Sequence, residues 1–302
     1  MSTLPSFAEL HRHLDGSIRP STLVELATRL QKTVPNDLPF SAGMGLSAAL
    51  SRFAFTLSLL QDPAAVKRVA SEMCEDAEAE GVTSLEIRFA PQLHQGAPIA
   101  SIVDAAVEGI RGRAGLILCG LYGEPPTVLD ELVSVAASRP HVVGIDLAGG
   151  PSPTHNFQMV DYAPAFKKAA TLGLGRTVHA GEGRPAEEIE TAILTLGAER
   201  IGHGTTLLNN PRIANLVLEK QITIEACPTS NVHTGAIHRV EDHPISTWLD
   251  LGIRACICAD NTLLSGTNVP MEIHRVRGIV GMTEEKIQRA IQIGHEAAFR
   301  RK

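Results

Sequence analysis

The residues best suited to chemistry begin with Glu9-Leu10-His11-Arg12-His13-Leu14-Asp15-Gly16-Ser17. In a β-strand, alternation places His11 and His13 on one face. Two imidazoles side by side on a rigid strand make half of a metal site, and Asp15-Gly16-Ser17 adds a polar turn where a pocket could open. A lone His-x-His is as often a packing pair, so partners are needed elsewhere. Asp146-Leu147-Ala148-Gly149-Gly150, His179-Ala180-Gly181-Glu182, Gly202-His203-Gly204, Cys227-Pro228-Thr229-Ser230-Asn231 and Asp260-Asn261 each follow a short apolar run. Any one of these could be structural. Chance alone should not place His and Asp after so many such runs.

The elements that must position these residues follow from periodicity. Apolar runs predict strands near Phe7–His13, Thr83–Phe89, Gly115–Leu121, Val142–Leu147, Arg176–His179, Arg200–His203, Thr223–Ala226 and Arg254–Ala259. Between them lie amphipathic stretches such as Ala64–Glu80, Ile102–Arg113, Tyr162–Leu172, Pro185–Leu196, Pro211–Lys220 and Pro244–Leu251. Pro185 and Pro211 suit first-turn helix positions, where a missing N–H costs nothing. Strands alternating with helices, without a Gly-, Ser- or Pro-rich linker, predict one (β/α)8 TIM barrel over residues 1–302. An open doubly wound sheet is the alternative. In a barrel, chemistry gathers at the C-terminal ends of the strands, where the polar motifs fall. Extra helices are expected in the long connection from Ser17 to Val82. Its apolar stretch Leu46–Leu60, with Phe53 and Phe55, reads either as a helix packed on the barrel or as a flap over its mouth. The tail from Thr283 to Lys302 reads as a closing helix.

Composition narrows the function. At 302 residues and 44% hydrophobic, the chain can bury a large core. A net charge of −6 without basic blocks argues against nucleic-acid binding. No apolar run suits a membrane span, and Met-Ser-Thr-Leu-Pro-Ser lacks the charged and apolar regions of a signal peptide. Five cysteines without framework spacing predict reduced thiols in a cytoplasmic protein, with Cys256 and Cys258 behaving as small hydrophobes.

Read together, His11-Arg12-His13-Leu14-Asp15-Gly16-Ser17, Glu86-Ile87-Arg88-Phe89-Ala90-Pro91, Asp146-Leu147-Ala148-Gly149, His179-Ala180-Gly181-Glu182, Gly202-His203-Gly204, Cys227-Pro228-Thr229-Ser230-Asn231 with Thr234-Gly235, and Ala259-Asp260-Asn261 resemble the adenosine deaminases of the amidohydrolase superfamily, in register almost end to end. The cytidine-deaminase signature, His-x-Glu with a later Pro-Cys-x-x-Cys, is absent. The resemblance implies one Zn2+ per subunit, bound by His11, His13, His179 and Asp260, with a position left for water. It makes Glu182, His203 and Asp260 catalytic: Glu182 protonates purine N1, His203 orients the water or takes its proton, and Asp260 accepts a hydrogen bond from it. A carboxyl kept protonated by a low-dielectric site would suit Glu182 to that task.

His13, Asp15, Ser17, Asp146, Gly149 and Asn261 are implied to contact substrate, Gly149 through its N–H to N3 and Asp15 to a ribose hydroxyl. Where the family usually carries a second Asp, this chain has Asn261, whose NH2 can donate to N7. Gly150-Pro151 replaces a common Asp-Glu. The reading is deamination of a small-molecule purine nucleoside, adenosine or 2′-deoxyadenosine, with aminodeoxyfutalosine or free adenine as alternative substrates and a non-catalytic ligand-binding barrel as the alternative from another class.

Other residues read as structural. Arg12 should face the helix layer and meet a carboxylate. Glu86 and Arg88 are expected to pair in the barrel interior. His94, His141, His155, His233, His238, His243, His274 and His295 are taken as surface or packing residues, His155 and His233 being nearest a pocket.

Overall fold

In a computed structural model, which describes residues 6–300, the apolar runs become eight parallel strands paired in chain order. These are β1 (Phe7–His13), β2 (Val82–Phe89), β3 (Gly115–Leu121), β4 (Val142–Ala148), β5 (Gly175–Ala180), β6 (Arg200–His203), β7 (Thr223–Ala226) and β8 (Arg254–Ile257). The ring closes between β8 and β1. Asp260 N donates to His11 O and His13 N donates to Asp260 O, both at 2.8 Å. Below that point the Glu9 carboxylate completes the seam, accepting from His11 N at 3.0 Å and from Ala259 N at 2.8 Å. Cys258 N still donates to Ala226 O of β7 at 2.8 Å, but the N–H of Ala259 goes to a side chain rather than to a neighbouring strand, and the regular ladder ends there. The architecture is a (β/α)8 barrel with helices outside, and the doubly wound alternative is excluded by the closure.

The connection from β1 to β2 holds helices Pro20–Arg29, Leu46–Leu59 and Pro63–Ala79. Pro211 sits at the start of helix Pro211–Glu219, where Asn210 Oδ1 caps Arg212 N. Pro185 does not do the same, because its helix begins at Glu187. A further helix, Pro126–Ala137, fills the layer between β3 and β4. None of the described helices is long and apolar enough to cross a membrane. All five cysteines are buried free thiols, and Cys256 and Cys258 pack with Leu10 and Cys227.

The barrel interior is ionic rather than layered in aliphatics. Arg88 lies 2.9 Å from Asp146 and 2.8 Å from Glu225, while Arg200 lies 2.5 Å from Glu86 and 2.7 Å from Glu225. The expected Glu86–Arg88 pair therefore does not form. Both side chains leave β2 on the same face and reach across the barrel to other strands. Arg12 points outward to Glu80, 2.5 Å away, as its alternation with the histidines requires. At the N-terminal end, helix Glu284–Ala297 packs on β1 and β8 and the chain then turns Phe299 beneath the barrel. Its ring centroid lies 3.6 Å from the Arg200 guanidinium carbon. Cβ atoms on Gly144 and Gly175 would stand 2.9 and 2.2 Å from that ring. Both glycines make room for it.

Candidate active site

Strand alternation turns His11 and His13 into the barrel, where β5 delivers His179. Its Nε2 is 3.1 Å from His11 Nε2 and 3.3 Å from His13 Nε2. Asp260 Oδ1 lies 3.7 and 3.4 Å from the same two atoms of His11 and His13. His11 Nδ1 donates to Glu225 at 2.7 Å and His179 Nδ1 donates to Asp146 at 3.0 Å. A carboxylate only accepts, so both Nδ1 atoms carry the proton; burial pushes the His179 imidazole down but Asp146 raises it on balance, and with both rings neutral, as ligation needs, the Nε2 atoms present lone pairs to each other. Such facing lone pairs repel unless a cation lies between them. Ligands about 2.0–2.2 Å from a tetrahedral zinc stand roughly 3.3–3.6 Å apart, and the distances here, 3.1 to 3.7 Å, bracket that range. The donor set fits one divalent metal ion. Burial pushes the His11 and His13 imidazoles well below their ordinary range, toward the neutral form that ligation needs.

The backbone at two strand ends is unusual. His203 and Asp260 have φ of 68° and 64°, a left-handed conformation that costs free energy without glycine. At these ends it re-aims a side chain toward the axis. Asp260 Oδ2 then accepts from Ser230 Oγ at 2.5 Å. Asn231 Nδ2 donates to Glu182 Oε1 at 3.2 Å and to His203 Nδ1 at 3.0 Å, and Thr234 Oγ1 donates to Glu182 Oε1 at 2.8 Å. Tyr122 OH donates to the carbonyl of His179 at 2.8 Å.

Burial drives the Glu182 carboxyl up, but the imidazole of His203, the Thr234 hydroxyl and Arg184 drive it down, and the net direction is down. Burial pushes the His203 imidazole down. Burial, with the Asp260 charge adding to it, holds Asp15 at about 7.

Above these groups opens a cavity of about 350 Å³. Helix Leu46–Leu59 supplies Leu46, Ala49, Leu50, Phe53 and Leu57 to its wall, so this inserted segment forms part of the pocket rather than only packing on the barrel. Phe55 instead packs on the main core. His13, Asp15, Gly149, His179, Glu182, His203, Asp260 and Asn261 all line the cavity. Gly149 has φ 81° with nothing within 4 Å of a Cβ, so backbone conformation rather than crowding calls for glycine there.

Two expected substrate contacts need correction. Ser17 does not line the cavity: its hydroxyl accepts from Thr262 N at 3.1 Å. Asp146 is buried behind His179, held by that imidazole and by Arg88, with no face toward a ligand. His155 reaches the cavity, whereas His233 turns its Nδ1 to Ser265 Oγ at 3.3 Å. Glu225, Ser230, Asn231, Thr234 and Tyr122 carry no role in the sequence reading, yet each touches a site residue. Glu225 had a signal, a lone carboxylate within an otherwise short and largely apolar strand.

The family profile described as adenosine deaminase matches residues 6–302. An adenosine deaminase of Vibrio atlanticus is 34% identical, over 96% of this chain and 92% of its own length. Among solved structures, the adenine deaminase from Arthrobacter aurescens superposes with a TM-score of 0.89 at 23% identity, covering 98% of this chain and 94% of that one. At that identity it supports the fold alone. The N6-methyl-AMP deaminase from Arabidopsis thaliana has a TM-score of 0.84 at 26% identity, covering 97% of this chain and 92% of that one.

Proposed function

The chain belongs to the adenosine deaminase family and is a hydrolytic deaminase, and we propose that its substrate is adenosine or 2′-deoxyadenosine, converted with water to inosine or 2′-deoxyinosine and ammonia. One observation carries this reading: Glu182 and His203 flank the four-donor cluster at the base of a cavity whose lining contains no lysine or arginine. A substrate phosphate would find no cationic side chain among those lining residues. That favours a nucleoside over a nucleotide such as N6-methyl-AMP, with the Arg184 guanidinium set behind Gly150 and paired through Nε with Glu188 at 2.9 Å.

His11, His13, His179 and Asp260 would hold the metal, and we assign it as zinc, one per chain. When bound, it supplies Lewis acidity that lowers the pKa of a water from 15.7 to about 7. The protein's own groups do the rest. Glu182 shares its proton with purine N1 once that acceptor meets the carboxyl, drawing electrons from C6. His203 orients the attacking water and stabilises its developing charge, and Asp260 accepts from the same water. Gly149 N–H donates to N3 and the Asn261 amide donates to N7. Asp15, the chain's acid on the mouth side of the turn, accepts from a ribose hydroxyl. The C6 adduct then loses ammonia.

The test is turnover of adenosine, 2′-deoxyadenosine, adenine, N6-methyl-AMP and aminodeoxyfutalosine side by side, with metal analysis of the protein. Adenosine or deoxyadenosine should give the highest kcat/KM, with one zinc per chain. Glu182→Gln keeps the shape but cannot deliver the proton, so kcat should fall by roughly 10²–10⁴ with metal content and ground-state purine affinity retained. Preference for another compound in the panel overturns the substrate assignment, and near wild-type turnover by Glu182→Gln overturns its role.

A further inference from the structure

Asn231 lies on helix Pro228–His233, fully buried, and does not line the cavity. Its side-chain amide nevertheless faces both groups that handle protons, with Nδ2 3.2 Å from Glu182 Oε1 and 3.0 Å from His203 Nδ1. The amide is placed with its NH2, not its carbonyl oxygen, toward both groups, and the buried Oδ1 has no hydrogen-bond partner among the described residues. An NH2 carries two hydrogens, and each has one acceptor here. His203 Nδ1 must then offer a lone pair, because an N–H at that position would oppose the Asn231 donor. In the neutral imidazole the proton therefore sits on Nε2. Glu182 is constrained in the same way. Its Oε1 already accepts from Asn231 and from Thr234 Oγ1 at 2.8 Å. Oε2 is left as the oxygen able to meet a ligand.

We propose that Asn231, supported by Thr234, is a positioning residue that fixes where both protons of the deamination reside: on Nε2 of His203, and on Oε2 of Glu182 when it serves purine N1. This rests on the proposed adenosine deamination only for the second half, since the His203 tautomer exists without substrate. Asn231 is not among the residues lining the cavity, and Thr234, which is, gives its hydroxyl proton to Glu182 Oε1. Each acts through its neighbour by occupying one of that neighbour's two ends.

The test uses the metal-loaded enzyme with 15N-labelled histidines and reads the His203 tautomer from two-bond proton–nitrogen correlations, His203 being assigned by loss of its signals in His203→Gln. Wild type should show an unprotonated Nδ1. Asn231→Asp replaces the donor by an acceptor and should move the proton to Nδ1. Its kcat should fall roughly 10- to 100-fold, the scale of one charge-assisted hydrogen bond, with KM for adenosine little changed. Thr234→Val should lower kcat in the same direction while leaving the His203 tautomer as in wild type, and Thr234→Ser should restore the rate. Thr234→Val and Thr234→Ser keep the inference testable if Asn231→Asp does not fold. A proton on Nδ1 in wild type, or unchanged kcat in both Asn231→Asp and Thr234→Val, overturns it. If adenosine is not the substrate, the tautomer reading still stands, so the two proposals fail separately.

Discussion

An ideal Cβ on Gly16 would stand 1.9 Å from Asn261 Oδ1 and 2.7 Å from its Cγ. The missing side chain is what lets the amide sit where it does, with Oδ1 buried against Gly16 and the NH2 end turned elsewhere. On the proposed reading that NH2 donates to N7, so Asn261→Ala should cost about 1–3 kcal/mol in kcat/KM. Gly16→Ala should reproduce the loss by displacing the amide, with metal content unchanged. The sharper measurement is the ratio of kcat/KM for adenosine and 7-deazaadenosine, which has a C–H in place of N7. Wild type should discriminate and both variants should lose most of the discrimination. A full ratio in both places Asn261 away from the purine. At this scale the sequence was most readable where a residue carries its chemistry alone. His11, His13, His179 and Asp260 converge as expected. Glu225 was not readable, because its meaning arises only when β7 brings it to 2.7 Å from His11. Asp146 was misread for the same reason: a strand-end carboxylate looks the same whether it faces a ligand or the back of a histidine.

Strand and helix positions follow from apolar periodicity, and the expected strands lie within one or two residues of those found. What periodicity does not reveal is which side chain replaces a backbone partner, as Glu9 does beyond Ile257, or which histidine a helix start buries. His243 precedes helix Ile245–Asp250, is buried, and accepts from Ile245 N through Nδ1 at 3.2 Å. Burial, and secondarily the His203 charge, lower its pKa to about 3. In the unfolded chain a histidine binds its proton near 6.5. Between those values unfolding takes up a proton, so stability is full above about 6.5 and falls as pH drops toward 3, by up to about 1.4 kcal/mol per pH unit. His243→Gln should flatten that part of the dependence. Denaturant unfolding at several pH values, compared as slopes rather than absolute stabilities, reads it. Metal loss in acid affects both proteins alike and cancels in the comparison. Identical slopes would mean that His243 takes up its proton without unfolding.

At the scale of the whole barrel, the two ends divide the work, with the donor cluster and cavity at the C-terminal end of the strands and closure at the other. A continuous chain of contacts joins them. Phe299 N donates to Glu86 Oε1 at 2.5 Å, Glu86 pairs with Arg200, Arg200 with Glu225, and Glu225 holds His11 Nδ1. Composition and periodicity announced a closing helix but not this plug, because Phe299 lies past the helix and its pocket is made by absent side chains at Gly144 and Gly175. Continuity does not by itself make the plug part of the reaction. Each ion in the chain has a second partner: Glu225 also receives Arg88 at 2.8 Å and Thr177 Oγ1 at 3.0 Å, so His11 keeps its support when the lower end loosens. Phe299→Ala removes a half-buried ring and its stacking on Arg200, which should destabilise the fold by roughly 2–4 kcal/mol. Below the onset of unfolding, kcat/KM should stay within about twofold of wild type, since no transition-state contact is removed. Denaturant midpoints and steady-state kinetics on the same preparations separate the two effects. If activity instead falls while the midpoint holds, the ionic chain is transmitting the position of Phe299 to His11, and the lower end of the barrel belongs to the catalytic apparatus.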